Sequence, residues 1–176
     1  MNSFGNIEWL PEAGLKPDQV FYSLDGWAEA MEIFFSTDEN LRSIYLELSR
    51  EKLAEVVEMS RRELFSEAQI ATREYLEYLK KIDRRNIQVK DAPQINSDFK
   101  LLNVILEHRY ILGIEYPELP KATRRKTIRK IDRALNSMYS EIENRLPTSL
   151  KDSLFFKKDE INWIWEIATD SDRKKP

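Results

Sequence analysis

Residues 38–84 read DENLRSIYLELSREKLAEVVEMSRRELFSEAQIATREYLEYLKKIDR, and the fold turns on how this stretch is read. It holds no glycine and no proline, the two residues that most strongly punctuate a helix. Leu41, Ile44, Tyr45 and Leu48 recur at the spacing of one helical face. Past Glu51 the apolar positions rotate to Leu53, Val56 and Val57, then to Leu64 and Phe65, and later to Tyr75, Leu76, Leu79 and Ile82. A stripe that changes face predicts either a bend near residues 58–62 or a helix with different neighbours along its length. Just upstream, Ser36 and Glu39 have the spacing of a capping box, in which hydroxyl and carboxylate each accept from an otherwise unpaired amide.

Outward from this spine, glycine and proline mark the remaining intervals. Gly5, Pro11, Gly14, Pro17 and Gly26 crowd the start, so residues 1–19 read as irregular and a first helix runs from about Val20 or Leu24 to Phe35. Pro93 closes the long run. A helix is expected over Ser97 to about Leu112, capped by Ser97, burying Leu101, Leu102, Ile105 and Leu106, and stopped by Gly113 and Pro117. Pro120 suits the first turn of the next helix. There Ile128, Ile131, Leu135, Met138 and Ile142 form a two-per-heptad seam that ends near Leu146-Pro147. In the tail, Ile161, Trp163, Trp165 and Ile167 alternate as a strand would, whereas Ile161, Ile164, Trp165 and Ala168 suit a helix. The acids of Lys158-Asp159-Glu160 favour the helix. The expected fold is an all-α bundle of five or six helices in a single domain over residues 1–176, with a frayed end at 170–176.

The composition supports that class. Hydrophobic residues make up 41% and charged residues 34%, the profile of amphipathic helices, and large apolar side chains are spread along the whole length, which argues against disorder. No cysteine occurs, which excludes disulfides, thiolate nucleophiles and cysteine-ligated metals. Residues 1–20 carry no basic start and no apolar run, so no signal peptide is read, no stretch matches a membrane span, and a cytoplasmic location is expected. The net charge of −3 is unevenly placed: residues 1–60 balance to −8 and the remainder to +5.

Three constellations bear on function. The first is the basic run 121–133, which balances to +6 with Asp132 its single acid. With Ile128 and Ile131 turned inward, Lys126, Arg129, Lys130 and Arg133 share the outward face, flanked by Arg124 and Arg125. Such a row can neutralise several phosphates. It also reads as a solvated face, or as one that pairs with the acidic first third. The second is Glu107-His108-Arg109-Tyr110. His108 is the single histidine, and its neighbour Glu107 points about 100° away and cannot orient it. Leu101, Leu102, Asn103 and Val104 fill the positions where an Arg–His ribonuclease pair would need arginine, so His108 reads as a surface or partly buried structural residue. The third is aromatic: Trp9, Phe21, Tyr22, Trp27, Phe34 and Phe35 near one end, and Phe155, Phe156, Trp163 and Trp165 near the other. These pack as core, or Trp163 and Trp165 anchor a partner. No Glu-x-x-His pair, P-loop, dinucleotide glycine pattern or Gly-x-Ser-x-Gly occurs, so no cofactor or metal is expected. The reading is a non-enzymatic helical interaction or regulatory protein that meets a protein partner or itself, with no membrane role. The alternative is a nucleic-acid-binding factor using the basic helix.

Overall fold

The computed structural model describes residues 10–11, 38–88, 92–170 and 172. Among these, every regular element is helical: α1 (Asp38–Arg61), α2 (Phe65–Gln88), α3 (Ala92–Glu115), α4 (Arg129–Glu143) and α5 (Thr148–Asp170), with no strand. The protein is all-α. The expected helix at residues 20–35 and the Ser36 cap lie outside the described residues, as does the irregular start apart from Leu10 and Pro11.

The chain divides into two compact units, one over Leu10–Ile82 and one built on residues 83–176. In the first, α1 and the body of α2 form an antiparallel hairpin. Tyr45 stacks on Tyr78 with ring centroids 5.9 Å apart, and Lys52 Nζ lies 3.8 Å from Glu74. The expected bend is a full break at residues 62–64. Leu64 donates to the Met59 carbonyl at 2.9 Å and Glu63 to Ser60 at 3.3 Å, while Glu63 takes φ of 59°. This is a Schellman ending, with glutamate at the left-handed position that glycine usually fills. It explains why the apolar stripe changes face: two helices follow one another. Lys52 through Val57 are buried without interruption, and Lys52 Nζ bonds Glu55 at 3.0 Å inside that enclosed stretch. A buried charge survives there because it is paired.

The second unit holds an up-down-up bundle of α3, α4 and α5. Asp98 meets Arg145 and Arg109 meets Asp132, so α4 runs against α3. Asn103 meets Lys157 and Arg109 meets Trp165, so α5 runs parallel to α3. Its core is Leu101, Leu102, Ile105, Leu106, Ile111 and Leu112 from α3, Ile131, Leu135, Tyr139 and Ile142 from α4, and Leu154, Ile161, Trp165 and Ala168 from α5.

Three boundaries differ from expectation. α3 begins at Ala92, so Ser97 lies inside the helix and not at its N-cap. Pro93 is tolerated because a first-turn residue has no amide partner to lose. Gly113 does not stop α3, which continues to Glu115 before a 3₁₀ turn at Tyr116–Glu118. The glycine is there for space: a Cβ would stand 2.8 Å from Ile164 Cγ2 and 3.3 Å from Trp165 Nε1. The tail is helix, not strand, as far as Asp170. Its last described residue, Asp172, is held in place, and residues 173–176 lie outside the description.

Candidate functional site

α5 is built with two working faces. Leu154, Ile161, Trp165 and Ala168 form the inner one. Trp165 donates Nε1–H to the Arg109 carbonyl at 3.0 Å and meets Tyr116 edge-on at 5.4 Å, so it is a core residue. Of the two readings of the sequence, Trp165 takes the core one and not the partner anchor, because the notch at Gly113 leaves room for its indole. Two lysines fix the rotation of the helix. Lys157 donates to Asn103 Oδ1 at 2.8 Å, and Lys158 pairs with Glu143 at 2.9 Å while lying 4.7 Å from the centre of the Tyr139 ring.

Opposite the core stand Phe156, Trp163 and Ile167, exposed by 74%, 62% and 53%. They fall on one line of the helix, with Phe155 beside Phe156 at an edge-to-face 5.8 Å. A helix interior supplies no reason for large apolar groups on its water side. Exposed apolar patches of this kind mark contact surfaces. Asp152, Asp159 and Glu166 are exposed alongside.

The basic face is placed as expected but is thinner. A turn at Lys121–Thr123 and a π-helical turn at Arg124–Ile128 lead into α4. The wide turn brings Thr123 and Thr127 inward with Ile128. Lys126, Lys130 and Arg133 are exposed on the side away from Ile128, Ile131 and Leu135. Arg129 is taken up otherwise: its Nε donates to Tyr116 Oη at 2.8 Å, and its Nη2 lies 3.3 Å from Asp172. Tyr116 Oη in turn donates to Asp172 at 2.6 Å. Burial first, then that bond to Asp172, raises the Tyr116 phenol above its ordinary value. The side chains of Arg124 and Arg125 lie outside the described residues. In the expected seam, Tyr139 is buried and Met138 is only half-buried.

Some constituents were not anticipated. Arg109, 3% exposed, donates Nε–H to Asp132 at 2.7 Å. The signal was present: one arginine inside an apolar run, and one acid inside a basic run. Arg145 clasps Asp98 at 3.1 Å and also Asp83, gathering the chain on either side of residues 89–91 against the end of α4. Burial opposes the Arg145 charge, but its hydrogen bonds to Asp98 and Asp83 outweigh that and raise its pKa. His108 is fully buried, at 1% exposure, rather than at the surface or partly buried, because α3 packs on both of its flanks. Among the described residues no group of three or more His, Asp or Glu side chains is placed to hold a metal, and no helix is long and apolar enough to cross a membrane.

A family model described as Domain of unknown function (DUF5667) matches residues 14–111. The match ends within α3, so α4 and α5 with both candidate faces lie beyond it. No curated protein and no solved structure matches the chain.

Proposed function

We propose that this chain, which belongs to the family described as a domain of unknown function (DUF5667), is a helical interaction protein of the cytoplasm that docks a protein partner on the outer face of α5. The observation that carries this is the line of Phe156, Trp163 and Ile167 on the water side of a helix whose other face is already filled. Covering such side chains is worth about 1.5–3 kcal/mol each, enough to drive association once ordering costs are met. Regulation through that contact fits a framework whose inward charges are spent on structure.

A photo-crosslinking amino acid at position 163 tests the reading, with Ser137 on the exposed side of α4 as control. Crosslinks in the native cell should reach a discrete protein from 163 and not from 137. Equal or absent capture from both positions would end the proposal.

Lys126, Lys130 and Arg133, exposed together and without partners among the described residues, favour a second reading: nucleic-acid binding. Three phosphate contacts give a log–log salt slope of about −3 on duplex DNA. Changing the three residues to glutamine should remove that binding. Absence of binding at low salt would dispose of this reading alone.

A further inference from the structure

We infer that the occupant of the outer α5 face is a cationic amphipathic helix of a different protein, an inference that rests on the docking role proposed above. Phe156 and Trp163 stand one heptad apart, and Ile167 lies one step further along the same seam. Ser153 and Glu160 fill the alternate seam positions. Asp152, Asp159 and Glu166 form a flanking row at seven-residue intervals, each exposed and with its carboxylate in no ion pair or hydrogen bond among the described residues. The pattern is a two-per-heptad seam with one acidic rail, the arrangement in which flanking charges choose the partner.

The charge needed to balance that rail is not on α5. The opposite flank holds Lys157, which bonds Asn103, and Ile164, which lies against Gly113. Both are committed to the core side. A second copy therefore fits poorly in either orientation. Antiparallel pairing sets the acidic rail against itself. Parallel pairing sets it against Lys157 and Ile164, already used. The basic face of another copy offers Lys126 from the turn before α4 and Lys130 and Arg133 from α4, but the exposed neighbours Asn136, Ser137 and Ser140 provide nothing apolar to cover Trp163. Anionic lipid or nucleic acid would be repelled by the rail. What remains is a helix with apolar residues at the seam and Lys or Arg on its flank. Phe156 to Ile167 spans about 16 Å along the axis, roughly three turns of a partner helix.

The test uses the full chain and three labelled designed peptides of about three heptads each, with leucine at the seam and lysine, glutamine or glutamate on both flanks. Binding is read by fluorescence anisotropy. The lysine peptide should bind about tenfold or more tightly than the glutamine one, lose that advantage at high salt, and lose binding about tenfold or more with Trp163→Ala. Asp159→Lys with Glu166→Lys should reverse the preference toward the glutamate peptide. These positions are exposed, and an unchanged helix signal confirms that the variants fold. If all three peptides bind alike and Trp163→Ala abolishes it, the docking face stands and the cationic partner is wrong. A concentration-dependent dimer lost in Trp163→Ala makes a second copy the occupant and overturns the inference. Failure of every peptide to bind overturns it too, while the crosslinking experiment still judges the docking face.

Discussion

At the scale of single residues, Gly113 shows how a correct identification can carry a wrong meaning. Read in sequence, a glycine shortly before a proline ends a helix. In the structure it lies within α3, and its missing side chain admits Ile164 and Trp165. Gly113→Ala would gain about 1 kcal/mol of helix propensity. It would lose more through overpacking, which costs about 1–3 kcal/mol in a filled core. The expected net is a destabilisation of about 1 kcal/mol, seen as a lower denaturant midpoint with an unchanged slope. An unchanged or raised midpoint would show that Ile164 and the indole yield easily. The same contact separates Trp165 from Trp163. Both are tryptophans in one short apolar run, and nothing in residue type tells them apart. What does is the notch and the Arg109 carbonyl, on a helix far away in sequence. Residue roles that depend on a distant neighbour are not written locally, which is why the candidate anchor pair was legible and its division was not.

At the scale of elements, the long stretch was legible because α1 and α2 each repeat their apolar residues at helical steps. The rotation of the stripe marked the join to within a few residues. The sharpness of the break was hidden because its left-handed residue is Glu63, not glycine. Left-handed backbone costs an L-residue about 1–2 kcal/mol, which glycine avoids. Glu63→Gly is therefore expected to raise stability by about 0.5–1 kcal/mol, after the extra freedom glycine gives the unfolded chain. Thermal unfolding of the variant checks it, and a fall in the midpoint would mean that the glutamate side chain has a role at the turn. The basic helix gives the opposite lesson. Its outward face was read correctly from the positions of Ile128 and Ile131, whereas the loss of Arg129 to Tyr116 and Asp172 depended on where the end of α5 arrives.

At the scale of the whole molecule, helical class followed from composition and periodicity, while the division into two units had no local marker because it falls inside the continuous helix α2. Each unit buries tyrosine. Desolvation raises Tyr75 in the first, and raises Tyr116 and Tyr139 in the second, with Glu143 adding to the effect on Tyr139. Unfolded chain releases these protons near the ordinary phenol value of about 10, and folded chain only above it. Over that window the unfolded state holds fewer protons, so stability is intact below about pH 10 and falls as pH rises through the folded values. Phenolate absorbance from these three residues should appear together with loss of helix signal in an alkaline titration. Their ionisation in fully helical protein would contradict the burial. The grip on Asp172 has a consequence of another kind. Arg129 can look outward or answer that carboxylate, not both, so Asp172 sets how many of the described cations the basic face presents: Lys126, Lys130 and Arg133 while the pair holds, and Arg129 with them whenever it parts.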